Sequence, residues 1–92
     1  MDKLEELIHR AAEVLRDFGA REVYLFGSAA TGSMREGSDV DLAVAGLPPE
    51  TFFRAMGKAA DVLGRPLDLI DLDEDTLFTS YLRKKGKLLR VV

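Results

Sequence analysis

The sequence predicts an α/β (α+β) fold, a small mixed β-sheet flanked by helices, in the order α-β-β-α-β-α with a short final strand. Three observations predict it. Apolar residues recur at three- and four-residue spacing in three separate stretches, each the stripe of an amphipathic helix. Short β-prone runs lie between those stretches, and glycine or proline stands at almost every junction. Residues 1–92 read as one domain, with no repeat, linker or low-complexity segment.

The first helix carries Leu4, Leu7, Ile8, Ala11, Leu15 and Phe18 on one side, with Glu5, Glu6, Glu13 and Arg16 away from it, and Gly19 ends it. Glu22 to Phe26 is the first strand and Val40 to Ala45 the second. The dozen or so residues between them form a loop long enough to be functional, and the sequence leaves parallel or antiparallel pairing undecided. Pro48-Pro49-Glu50 opens a second helix running to about Leu63, its buried side made of Phe52, Met56, Ala59, Ala60 and Leu63. Gly57 is a weak point within it, and Gly64 stops it. Arg65 to Leu72 reads as a third strand bearing Asp68 and Asp71. Asp73 or Asp75 is expected to cap a last helix whose apolar positions are Leu77, Phe78, Tyr81 and Leu82; it ends at Lys85-Gly86, and Leu88 to Val92 adds an edge strand.

Composition narrows the chemistry. There is no cysteine, which excludes disulfides, zinc-thiolate sites and cysteine nucleophiles. The single histidine, His9, falls beside the apolar stripe of the first helix, so a histidine metal site or a Ser/His/Asp triad has little support. Since the chain carries -3 overall and its last ten residues +5, residues 1–82 carry -8. No broad basic face results, so direct nucleic-acid binding is not expected. The basic tail suits a helix C-terminus and a solvated edge strand. No signal peptide or membrane span is recognisable, which makes a cytoplasmic protein the expectation; homo-oligomerisation is left open.

The stretch from Tyr24 to Ala45 concentrates the functional signal. Gly27 at the end of a strand lets the backbone turn sharply and approach a phosphate, and the Ser28 hydroxyl can donate to a phosphate oxygen. Asp39 and Asp41 stand at i and i+2 of the next strand and therefore project from one face, their Cα atoms roughly 6.5 Å apart. Like charges that close repel unless a cation lies between them. With a third aspartate from another strand, the set describes an anion cradle beside a site for Mg²⁺, which takes oxygen ligands and substrate phosphates. Two such ions, about 3.5–4 Å apart, can activate a hydroxyl and neutralise departing pyrophosphate.

Gly27-Ser28, ten residues, then Asp39-Val40-Asp41 matches the GS-x10-D-x-D signature and resembles the DNA polymerase beta-like nucleotidyltransferases, with FGSAATGSMREGSDVDLAV most similar to the minimal nucleotidyltransferases of the MntA antitoxin type. The likeness covers essentially the whole chain and implies the nucleotidyltransferase fold. It assigns Gly27 and Ser28 to the nucleotide triphosphate and Asp39 and Asp41 to Mg²⁺. It also implies a third metal-binding and catalytic carboxylate that helps deprotonate the acceptor. Asp68 and Asp71 share the apolar-Asp-apolar pattern but alternate faces; Asp68, soon after Pro66, matches the family's usual position. Ala29 stands where many relatives carry arginine, so Arg35 or a tail lysine is expected to supply that phosphate contact, and Arg35 is chosen.

The implied reaction moves AMP from ATP to a hydroxyl, pyrophosphate leaving. Relatives of this size are commonly antitoxins that adenylylate a tyrosine of a HEPN-type ribonuclease toxin, so such a toxin is the implied partner. The alternative is a catalytically weak or inactive antitoxin that neutralises its partner by contact alone.

Overall fold

The computed structural model describes residues 3–27 and 39–92. Helix α1 spans Lys3–Asp17, strand β1 Glu22–Phe26 and strand β2 Val40–Ala45. A short 3-10 turn at Pro49–Thr51 leads into α2, Phe52–Leu63. Strand β3 is Leu67–Asp71, helix α3 Leu77–Lys84 and strand β4 Leu89–Arg90. The predicted order is therefore the observed one, with the final strand present but reduced to two residues. The third strand is also shorter at both ends than the predicted 65–72 range.

The four strands form one mixed sheet in the order β3-β2-β1-β4. β1 runs antiparallel to β2 and to β4, whereas β2 and β3 are parallel, with α2 as the crossover that parallel neighbours require. Backbone hydrogen bonds beyond the strand ends extend the ladders; Arg21 N donates to Ala45 O at 2.8 Å and Leu72 N to Val44 O at 2.8 Å, for example.

Strand alternation sends side chains into two cores. Val23, Val40, Leu42, Val44 and Leu69 meet Ile8, Ala11, Ala12 and Leu15 of α1 and Ala55, Ala59 and Leu63 of α2 on one face. Phe26, Ala43 and Ala45 meet Leu72 and Leu82 on the other. Leu15 and Leu42 are fully buried, each contributing about 1.5–3 kcal/mol of hydrophobic stabilisation. The predicted stripes hold in part: α2 buries Ala59 and Leu63 and also Ala55, while Phe52, Met56 and Ala60 are half-buried, and α1 also buries Ala12.

Helix α3 lies where expected, but most of its apolar positions are open to solvent. Leu82 is buried, but Leu77 is 93% exposed, Phe78 47% and Tyr81 56%. Its cap is Thr76 rather than Asp73 or Asp75: Thr76 Oγ1 accepts from Thr79 N, and the Thr79 hydroxyl accepts from Thr76 N, each at 3.1 Å. Asp73 is used elsewhere, its Oδ2 accepting from Gly46 N at 2.7 Å. His9 is a surface residue beside Glu13, as its place off the stripe implied. Among the described residues, no helix is long and apolar enough to cross a membrane.

Candidate active site

The antiparallel β1–β2 pair and the parallel β2–β3 pair bring three chain segments to one end of the sheet. These are the end of β1 with Gly27, the start of β2 with Asp41, and the start of β3 with Asp68. Phe26 is the register partner of Asp41, and Asp41 is the register partner of Asp68. The last two residues therefore sit opposite one another on adjacent strands about 4.8 Å apart. Both point to the face that carries Phe26, Ala43 and Ile70. Asp39, exposed just before β2, shares the parity of Asp41 and closes the acidic group.

The charges feel one another. The carboxyl of half-buried Asp41 is held above its ordinary range, first by burial and then by the negative charges of Asp68 and Asp39. A divalent cation among them would reverse that balance by favouring the ionised form. Among the described residues no group of three His, Cys, Asp or Glu side chains is placed to hold a metal ion. The arrangement is an open acidic face, whose oxygen-only donors suit a hard ion such as Mg²⁺ that retains water and substrate phosphate ligands.

Gly27 is fitted to this face. Its φ of +71° lies in the left-handed region, and a Cβ there would collide with the Asp41 carboxylate. The turn backbone and the carboxylate thus pack directly together. Ser28, Ala29, Arg35 and Ser38 lie outside the described residues, so the predicted phosphate contacts of Ser28 and Arg35 have no structural counterpart to report.

The choice between Asp68 and Asp71 rests on register. Asp71 pairs with Val44, three residues further along β2, and its Oδ1 accepts from Asp73 N at 2.9 Å, shaping the turn after β3. Asp68 is beside Asp41, whereas Asp71 is the last residue of β3 and bonds into the turn that follows. The basic tail is partly committed as well, since Arg83 donates to Leu72 O at 2.8 Å and Arg90 to Val92 O at 3.0 Å.

Sequence reading missed one feature. A cleft of about 350 Å³ runs along the outer edge of β3, lined by Phe52, Phe53, Leu69, Ile70 and Phe78 together with Asp71 and Glu74. Helical periodicity places Phe78 on α3 without saying what covers it, and nothing in the pattern marks Phe53, which is 75% exposed.

Comparison with known proteins supports the fold. A chain from a toxin-antitoxin complex crystallised with AMP-PNP aligns with TM-score 0.72 and 29% identity, over 96% of this chain and 72% of that one. A structure described as a minimal nucleotidyltransferase aligns with TM-score 0.70 and 30% identity, over 95% of both chains. A Shewanella oneidensis complex of a tri-AMPylated HEPN toxin with an MNT antitoxin shares the fold, with TM-score 0.68 at 24% identity over 97% of this chain and 71% of that one. A search of curated proteins finds no match. The sequence profile described as "Polymerase beta, Nucleotidyltransferase" matches residues 8–90, nearly the whole chain, with both the Gly27 turn and the three carboxylates inside it. The chain belongs to the polymerase beta nucleotidyltransferase family.

Proposed function

We propose that this protein is a Mg²⁺-dependent adenylyltransferase that moves AMP from ATP to a hydroxyl of a partner protein, a tyrosine of a HEPN-type toxin. The observation that carries the reading is the registered pair Asp41 and Asp68, on the same face as Asp39 and against the Gly27 turn. The similarity to a toxin-antitoxin chain crystallised with AMP-PNP supports both the nucleotide and the class of partner.

Asp39, Asp41 and Asp68 would hold Mg²⁺, which when bound supplies charge neutralisation at the triphosphate. Gly27 gives the phosphates access to backbone, and Ser28 and Arg35 are the proposed further phosphate contacts. Asp68, exposed at the edge of the group, accepts the proton of the acceptor hydroxyl. The acceptor oxygen forms a bond to the α-phosphorus, the bond from that phosphorus to the bridging oxygen breaks, and pyrophosphate departs. Most of the acceleration comes from positioning and charge compensation.

The test is incubation with α-labelled ATP, Mg²⁺ and a HEPN-type toxin encoded beside this chain. Label on a toxin tyrosine that disappears with Asp41→Asn and Asp68→Asn supports the proposal, and unlabelled toxin with wild-type protein refutes it. The exposed aromatic surface around Phe53 and Phe78 favours a second reading, neutralisation by contact alone. Toxin inhibition persisting undiminished in both aspartate variants would establish that reading.

A further inference from the structure

We infer that the cleft along the free edge of β3 is the docking groove for the acceptor protein, taking an extended segment with apolar side chains at alternate positions and lysine or arginine beside them. The inference deepens the proposed transfer reaction and rests on it for the identity of the acceptor. β3 ends the sheet order, so its outer backbone edge has no strand partner among the described residues. Such an edge can pair with an added strand whose alternate side chains point to opposite faces.

Both faces are prepared for that occupant. Phe52 and Phe53 of α2 wall the cleft together with Leu69, while Phe78 of α3 walls it beside Ile70. Phe78 is braced by an edge-to-face contact with Phe26, ring centroids 6.1 Å apart, so that wall is set by the core. The charged lining residues, Asp71 and Glu74, are both acidic, and Asp73 and Asp75 adjoin them in sequence. Charge complementarity therefore selects a basic partner. The groove also leads to the carboxylates: Ile70 lines it and shares a sheet face with Asp68, two residues away along the same strand. A segment paired with β3 would carry its acceptor hydroxyl toward Asp68.

The test uses this chain and a HEPN-type toxin, measuring affinity by calorimetry and transfer kinetics with labelled ATP. Phe53→Glu changes an exposed side chain and should retain the wild-type melting temperature. Phe53→Glu is expected to raise Kd and KM for the toxin at least about tenfold with kcat little changed, and Glu74→Lys about fivefold. Leu89→Glu, on the opposite sheet edge, should stay within about twofold. Amides of Leu69 to Asp71 should gain hydrogen-exchange protection when the toxin binds. Toxin affinity unchanged in Phe53→Glu, or toxin that the wild type does not bind, overturns the groove. A wild-type dimer dissociated by Phe53→Glu also overturns it, because the occupant is then a second copy. Groove-dependent binding without transfer refutes the transferase reading alone, and transfer undiminished in Phe53→Glu refutes the groove alone.

Discussion

Asp41 and Asp68 face each other across the parallel β2–β3 pair, although a helix and two turns separate them in the chain. Two negative groups on neighbouring strands oppose folding, and burial of Asp41 adds to the cost. A fold that keeps them together holds them for something other than its own stability.

Asp41→Asn and Asp68→Asn are accordingly expected to lower transfer at least about 100-fold. Asp71→Asn should remain within a few-fold of wild type, because an asparagine oxygen still accepts from Asp73 N. Rates with labelled ATP compare the three variants directly.

The pH dependence of stability has a defined sign. The carboxyl of Asp41 is raised in the folded state, so between the ordinary value near 3.8 and the folded value the native protein binds the proton more tightly than the unfolded chain. This group's contribution to stability therefore falls as pH rises through that window and is constant above it. Asp41→Asn should remove the slope and raise stability at neutral pH by about 1 kcal/mol or less, since the group is partly solvated. Urea titrations in metal-free buffer at several pH values measure both.

Gly27→Ala combines a left-handed backbone with a collision against Asp41. A destabilisation of about 1–2 kcal/mol is expected from the backbone alone. Displacement of the carboxylate should lower transfer as well, so thermal melting and rate should fall together.

Gly57→Ala is the counterpart, a substitution in the exposed interior of α2 with nothing within 4 Å of the added methyl. Stability should rise by about 0.5–1 kcal/mol with no change in transfer, as read by denaturant midpoint.

Thr79→Val removes the hydroxyl that donates to Glu74 O at 2.6 Å and completes the cap at Thr76. Thr79 is buried, so a loss of about 1–3 kcal/mol is expected. Helix α3 should show the first loss of hydrogen-exchange protection.

Much of this was legible in the sequence because local chemistry decides it. Helical spacing located α1 and α2, Gly64 capped α2 in the left-handed conformation as its lack of a Cβ allows, and i, i+2 alternation placed Asp39 and Asp41 on one face. Periodicity was weaker on α3: it groups Leu77, Phe78 and Tyr81 on a helix but says nothing of whether anything covers them. The cap was misassigned because Asp73 has a better partner, Gly46 N, 27 residues away in sequence. The juxtaposition of Asp41 with Asp68 needs the parallel pairing of β2 and β3, a non-local feature that local spacing does not determine. Ser28 and Arg35, read from the glycine-rich stretch, fall outside the described residues.

The crossover between β2 and β3 also sets a timetable. α2 lies between β2 and β3 in the chain and packs against α1, so the Asp41–Asp68 register depends on long-range contacts, which form more slowly than local helix. Chains that lack those contacts are expected to leave Asp41 and Asp68 apart. During refolding, catalytic competence should emerge after the far-ultraviolet helical signal has recovered, which makes turnover a sensitive gauge of whether a given molecule has reached its native topology.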